Sequence, residues 1–231
     1  MTVQLKTKLS PLVSRPVVLV LLLGVILRCC SLYWNDRIHG DVNLFALTAQ
    51  EYVRNDELRY PMKIDYSPNV AWGSLHSPQS QHPPLWSFAA GVIGKITGSE
   101  NTYAILQWMS FFVGVGLILV MWQWLNSFHF AIAPTAMVLL AFSPMLMDFS
   151  GNGSQYTLGG LLLLLAFVLM SQGKTTIKTT ALMGILSGLA LLTHGAFLLM
   201  SIGVCAYIVT TKTSMARKSL RIGTCLFAFL V

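Results

Sequence analysis

Residues that could carry out chemistry are concentrated in one polar stretch of the chain. Seven of the eight carboxylates in the 231-residue sequence lie between positions 35 and 100, and the rest of the chain is largely apolar. The stretch contains the segment His-Gly-Asp-Val-Asn at 39–43 and, further on, His-Pro-Pro-Leu at 82–85. Carboxylates and histidines can transfer protons, and a histidine can also bind an anion, so these two segments are the first places to look for a reaction.

Asp41 is the first candidate, because it lies just outside an apolar segment and at the start of a predicted amphipathic helix. A carboxylate in that position can reach a hydroxyl acceptor or a phosphate at a lipid surface. Aspartate is also among the best N-cap residues of helices, so capping alone would explain it. Asn43, two positions further on, is a polar candidate for binding the same substrate.

His82 precedes two prolines that have local roles of their own. Pro83 favours an extended backbone at His82, and Pro84 suits the first turn of the helix that follows. His82 is thereby held at the head of that helix, where the positive end of the helix dipole and a hydrogen-bond donor could meet a phosphate. The alternative is a solvated histidine in a turn.

Three further polar residues lie inside apolar segments or at their ends. Arg28 is six residues inside the outer end of the first segment. A charge there costs on the order of 3 kcal/mol unless it reaches the lipid headgroups or binds an anion such as phosphate. Asp148 either caps the next helix or pairs with Arg28, and His194 is either a turn residue or a group that faces a ligand.

Aromatic residues of the polar stretch are candidates for stacking on sugar rings, although aromatic residues are expected at any membrane surface. They are Tyr60, Tyr66, Trp72 and Trp86. The four cysteines lie in apolar segments without CxxC spacing, so neither a disulfide nor a metal site is predicted, and ligand spacing gives a divalent cation no support. The sequence Asn-Gly-Ser at 152–154 matches an N-glycosylation acceptor.

Composition predicts the environment in which these residues lie. Apolar residues make up 55% of the chain and charged residues 10%, against about 25% charged in a typical soluble domain, so we expect an all-α integral membrane protein. The net charge of +7 comes from basic residues in short breaks between apolar runs, a pattern that indicates membrane topology and not nucleic-acid binding. The predicted spans are 16–34, 102–125, 131–147, 156–171, 179–193 and 196–211, with an incomplete seventh from about 222.

The segment 84–97 decides the orientation of every later span. Its 14 residues form about 20 Å of helix, too short to cross a bilayer, so we predict that it lies along the surface. Basic residues at 174–178 and 212–221 then fall on the cytoplasmic side together with the N-terminus. The stretch 35–100 becomes a large outer loop with two interfacial helices, 41–54 and 84–97. The predicted apolar stripe of the second helix is Leu85, Trp86, Phe88, Ala89, Val92, Ile93 and Ile96, opposite Ser87, Gly91, Gly94 and Lys95.

Several segments, taken in order, resemble the GT-C glycosyltransferases, and among them the protein O-mannosyltransferases and the bacterial aminoarabinose transferases. They are Gly-Asp-Val-Asn-Leu-Phe at 40–45, His-Pro-Pro-Leu at 82–85, Ser-Pro at 143–144 and Gly-Leu-Ala-Leu-Leu-Thr-His-Gly at 188–195. Their succession and spacing carry the resemblance, which covers nearly the whole chain. It implies a GT-C-type helical bundle, with residues 1–231 as a single transmembrane domain that forms the N-terminal module of a longer protein.

The resemblance also implies a reaction. A sugar would pass from a polyprenyl-phosphate carrier to a lipid, glycan or protein acceptor on the periplasmic or lumenal side, and a bacterial plasma membrane is favoured over the endoplasmic reticulum. Asp41 would be the general base. His82, Arg28 and His194 are the candidates for binding the donor phosphate, and Asn43, Tyr66, Trp72, Trp86 and Asp148 are those for binding substrate.

The chain departs from the family pattern in two places. Val42 stands where a second carboxylate is common, and His194 stands where lysine is common. The alternative function is therefore a non-catalytic or transporter-like membrane protein that binds polyprenyl lipid. A transporter should place broken helices or polar groups at mid-membrane.

Overall fold

The computed structural model describes residues 15–34, 40–58, 84–127, 133–172 and 176–210, and within these ranges all regular structure is helical. The predicted all-α class is confirmed. The helices, which we number in chain order, are α1 (Arg15–Trp34), α2 (Gly40–Asn55), α3 (Leu85–Thr97), α4 (Thr102–Ser127), α5 (Ala133–Ala141), α6 (Pro144–Gly151), α7 (Tyr156–Ser171), α8 (Ile177–Leu191) and α9 (Leu198–Thr210), with one 3-10 turn at Gly195–Phe197.

Helix α4 is the clearest candidate for a membrane span. Among the described residues it is the one helix that is long and apolar enough to cross a bilayer by itself. Its 26 residues extend about 39 Å, against a hydrocarbon core of about 30 Å. Helices α6 and α7 are long and apolar enough to cross a bilayer only if they are taken together as one broken span, which is bent by 115°. The count of six complete spans stays a prediction, and the seventh, from about 222, lies outside the described residues.

The predicted span 131–147 is not one continuous helix, because the structure divides it into two. Helix α5 ends at Ala141, and α6 begins at Pro144. Ser143 is extended between them and its hydroxyl accepts from the Leu146 N–H, while Pro144 occupies the first turn of α6, where no N–H is needed. The predicted outer break at 148–155 is consequently half helical, since α6 continues to Gly151.

Helices α2 and α3 pack side by side, and the contact face of α3 is not its predicted apolar stripe. The buried residues of α3 include Ser87, Gly91 and Gly94. A Cβ atom at Gly91 would lie 2.7 Å from the Tyr52 ring, and one at Gly94 would lie 2.7 Å from Val53 Cγ2. Small residues therefore bring the two helices close together. Of the predicted stripe, Phe88, Ile93 and Ile96 are exposed, the last by 78%, and the Phe88 ring also meets the Tyr52 ring edge-on at 5.4 Å between centroids.

The two helices run parallel, and ion pairs join the region where they end. Arg54 Nε donates to Glu100 Oε2 at 2.9 Å, and Lys95 pairs with Asp56. Exposed pairs of this kind contribute about 0 to 1 kcal/mol each. Contacts advance together along the two helices, from Tyr52 with Gly91 to Asp56 with Lys95, so the carboxyl ends of α2 and α3 lie together and so do their amino ends.

Helices α4, α7, α8 and α9 form another part of the bundle, and two hydrogen bonds mark one of its ends. Trp124 Nε1 donates to the Ser171 hydroxyl at 2.9 Å, and the Tyr207 hydroxyl donates to the Met170 carbonyl at 3.0 Å. The last turns of α4, α7 and α9 therefore meet. The first turns of α4 and α7 and the last turn of α8 lie at the opposite end, which contains the candidate site.

Candidate functional site

Four segments far apart in the sequence meet at one end of the bundle. The Leu85 N–H, at the start of α3, donates to the Leu192 carbonyl after α8 at 3.3 Å. Trp86 Nε1 donates to the Gly153 carbonyl between α6 and α7 at 2.8 Å. Val42, in the first turn of α2, lies against Gly153, where an added Cβ would be 3.0 Å from Val42 Cγ1. We call this region the convergent end.

The chain between α6 and α7 is buried, and side chains of other helices satisfy its backbone. Every residue of 151–155 is buried. The Ser150 carbonyl accepts from the Ser110 hydroxyl at 3.2 Å, and the Gly151 carbonyl accepts from Gln107 Nε2 at 3.3 Å. The Gly153 N–H donates to the Ser110 hydroxyl at 3.1 Å. Buried backbone groups need such partners, so α4 and Trp86 together hold this turn in place.

Asn152 and Asp148 brace the same turn from within. Asn152 Nδ2 donates to Asp148 Oδ2 at 3.3 Å, and Asn152 Oδ1 accepts from the Ser154 N–H at 3.0 Å. Asn152 is 2% exposed, so its amide is closed to glycosylation in this conformation. Asp148 is half-buried and remains a candidate for binding substrate, while one of its oxygens supports the turn.

Arg28 is bound to main-chain carbonyls at the end of α5. Its side chain is completely buried, which rules out the expected reach to the headgroups in this conformation. Nη1 donates to the Ala141 carbonyl at 2.8 Å and to the Gly24 carbonyl at 3.0 Å, and Nη2 donates to the Leu140 carbonyl at 3.2 Å. A cation is favourable at a helix carboxyl end. This contact gives Arg28 a structural role that neither sequence alternative included, whereas the phosphate role stays a prediction.

His194 begins the 3-10 turn and contacts the first residue of α7. Its Nδ1 accepts from the Ala196 N–H at 3.0 Å, and its Nε2 lies 3.2 Å from the Tyr156 hydroxyl oxygen. The imidazole ring is 4.7 Å from the Tyr156 ring between centroids. Both ring nitrogens are therefore engaged by the protein, and His194 joins the turn after α8 to the start of α7.

The other predicted site residues differ in their exposure and in how far the structure describes them. Asp41 is the second residue of α2 and not its N-cap as predicted, because the helix already begins at Gly40, and its side chain lies outside the described part of the structure. Asn43 is exposed. Trp86 is 0% exposed and donates to Gly153, so the prediction that its ring stacks on a sugar is wrong for this conformation. His82, Tyr66 and Trp72 lie outside the described residues.

Three residues at the convergent end were missed by sequence reasoning. Ser110 and Tyr156 look like ordinary residues of apolar helices, and only their contacts across the bundle reveal a role. Gln155 precedes α7, is 1% exposed, and its Nε2 has no hydrogen-bond partner in the described structure. A buried, unpaired amide donor costs about 1–3 kcal/mol. The sequence signal was present, because Gln155 is an uncharged polar residue directly before an apolar run.

Comparison of the chain with protein-family models, with curated proteins and with solved structures finds no match. The described residues contain no group of three or more histidine, cysteine, aspartate or glutamate side chains that could hold a metal ion. The functional assignment therefore depends on the geometry of the convergent end and on the resemblance stated above.

Proposed function

We propose that this protein is a membrane glycosyltransferase of the GT-C type that takes a sugar from a polyprenyl-phosphate donor. The observation that carries the proposal is the hydrogen bond between Leu85 and Leu192. It joins two of the segments on which the resemblance rests, 82–85 and 188–195, although more than 100 positions separate them. Asp41 is in the first turn of α2 at the same end, as a shared active site requires.

Electrostatics at the convergent end favours an anionic donor. Helices α2, α3 and α7 all begin there, and each amino terminus acts as about half a positive elementary charge. Helix α4 begins there as well, and the carboxyl ends of α1, α6 and α8 lie at the same end, where the Ser31 hydroxyl of α1 donates to the Met147 carbonyl of α6. Four amino termini against three carboxyl ends of the described helices leave a small positive partial charge, which suits a phosphate as substrate and as leaving group.

In this proposal Asp41 removes the proton from the acceptor hydroxyl while the sugar–phosphate bond breaks on the opposite face. His82, three residues before Leu85, binds the departing phosphate. The protein spans the membrane six times in this part of the chain, with its N-terminus in the cytoplasm and the convergent end on the periplasmic side. The exposed apolar side chains of α3, Phe88, Ile93 and Ile96, support its placement along the membrane surface.

Replacement of Asp41 by asparagine tests the proposal. A general base contributes about 100- to 10,000-fold to the rate, so the full-length D41N variant should lose at least about 100-fold in sugar transfer from a polyprenyl-phosphate donor. The matched control is D56N, because Asp56 follows the carboxyl end of α2 and pairs with Lys95. Wild-type turnover in D41N, with D56N also active, would remove Asp41 from the base role.

A transporter-like function is the second candidate, and two observations favour it. Helices α6 and α7 meet at 115°, and a second break separates α5 from α6 beside buried Arg28. Broken helices are typical of substrate sites in transporters. The two functions can be separated in sealed vesicles: a transporter moves polyprenyl-phosphate sugar across the bilayer without an acceptor, whereas a transferase consumes it only when an acceptor is present.

A further inference from the structure

Tyr156, at the start of α7, contacts two aromatic rings. Its ring centroid is 5.1 Å from that of Phe149, at an interplanar angle of 31°, and 4.7 Å from that of His194, at 49°. These contacts restrict the phenol ring. The rotation of its O–H bond then decides which group the hydroxyl can donate to.

The hydrogen bonds of His194 determine the rotation of the Tyr156 O–H bond. Nδ1 accepts from the Ala196 N–H, so Nδ1 must carry a lone pair. In the neutral imidazole the proton is then on Nε2, which donates to the Tyr156 oxygen at 3.2 Å. The Tyr156 oxygen is the acceptor in this contact, and its own proton is turned away from the histidine. Tyr156 thus retains one O–H donor, whereas both nitrogens of His194 are already used.

We propose that Tyr156, and not His194, donates a hydrogen bond to the phosphate of the lipid donor, and that His194 is the positioning residue that turns the phenol proton toward it. The inference rests on the proposed function and refines one of its residues. It replaces the predicted phosphate contact of His194 with an indirect one. Histidine at position 194, where the resembling family commonly has lysine, then has a distinct role in this chain.

The surroundings of Tyr156 suit an anion that offers several acceptor oxygens. Tyr156 is the first residue of α7, where the helix dipole is positive. The neighbouring Gln155 contributes the buried amide nitrogen that lacks an acceptor in the described structure. Because an unpaired buried donor is unfavourable, a phosphate oxygen within reach of it would relieve that cost. Phenol, amide and helix terminus are three features of one turn that favour the same kind of ligand.

The test measures binding of a short-chain polyprenyl phosphate, and of the matching polyprenol without phosphate, to the full chain in bilayer nanodiscs. Wild-type protein should prefer the phosphate. Y156F removes the hydroxyl but keeps the ring, and it should bind the phosphate about 10- to 100-fold more weakly while binding the polyprenol unchanged. H194N keeps an acceptor for the Ala196 N–H but loses the Nε2 donor, so its loss should be smaller, about 3- to 10-fold.

Two further measurements separate positioning from stability. Nitrogen NMR of histidine-labelled protein, with the His194 signal assigned from H194N, should show an unprotonated Nδ1; a proton on Nδ1 would overturn the positioning role. F149L removes one ring contact of the phenol without changing either hydrogen bond, and it should retain the preference for phosphate.

Inorganic phosphate should compete only at far higher concentration, because the site is proposed for a lipid headgroup. Equal competition by inorganic phosphate would contradict a lipid site.

Failure of this inference and failure of the proposed function give different results. If Y156F binds the phosphate as wild type does while D41N lacks transfer, the role of Tyr156 is wrong and the glycosyltransferase stands. If wild-type protein transfers no sugar but Y156F still loses phosphate binding, the binding site stands and the enzyme does not.

Discussion

Two interruptions of the helical structure are held in different ways. Between α5 and α6, one charged side chain, Arg28 of α1, donates to the Ala141 and Leu140 carbonyls. Between α6 and α7, three uncharged side chains of two other helices donate to main-chain carbonyls; they are Trp86, Gln107 and Ser110. Both interruptions bury main-chain polar groups, which need partners wherever they lie.

The first interruption is supported by a cationic donor and the second by neutral donors, and this difference affects the electrostatic field at each. At each interruption one helix ends and the next begins. At the first, the guanidinium offsets the negative partial charge of the α5 carboxyl terminus. At the second, support by neutral groups places no cation beside the positive amino end of α7. An arginine in place of Gln107 would bind the same carbonyl but would change the field at Tyr156.

Arg28 should have the larger effect on stability, because this one side chain donates to both carbonyls at the end of α5. R28M retains volume but leaves the Ala141 and Leu140 carbonyls without their donor, and we expect a loss of about 2–5 kcal/mol in the free energy of unfolding. R28K is the matched control. It retains a cation at the end of α5 without the planar fork, so its loss should be smaller. Thermal unfolding of the purified chain measures both, and wild-type stability in R28M would contradict the role assigned to Arg28.

Trp86 should have the smaller effect, because support of the second interruption is shared. W86F removes the donor to the Gly153 carbonyl and some buried volume, and we expect a loss of about 1–3 kcal/mol. The contacts from Gln107 and Ser110 should persist. I96V, at a 78% exposed position of α3, is the control and should be neutral. If W86F destabilises the protein more than R28M does, the contrast between single and shared support is wrong.

The helices were largely predictable because apolar periodicity and turn residues are local properties. Helix α7 coincides with the predicted segment 156–171, and α2 and α3 match 41–54 and 84–97 to within one residue at each end. The error at 131–147 arose because hydropathy averages over a Ser-Pro pair that ends a helix. The apolar stripe of α3 was recognised, but not that its small residues would be the contact face.

The site was less predictable, since hydrogen bonds between distant segments leave no local trace. Arg28 was recognised as important from its charge in an apolar segment, yet two of its three partners, the Ala141 and Leu140 carbonyls, lie more than 100 positions away. Tyr156 gave no signal, because only its contacts with Phe149 and His194 distinguish it from other aromatic residues. Trp86 was predicted at a substrate face, and the pairing of its indole with Gly153 could not be inferred from a pattern of apolar residues.

Photo-crosslinking tests the central claim, that the donor phosphate binds at the convergent end. The full chain in a bilayer would be exposed to a polyprenyl phosphate that carries a photoreactive group beside the phosphate, and labelled peptides would be identified by mass spectrometry. The account predicts labels within 40–43, 154–156 and 192–196, which excess unlabelled lipid phosphate suppresses. Labels confined to the opposite end, around Ser171 and Thr176, would contradict it.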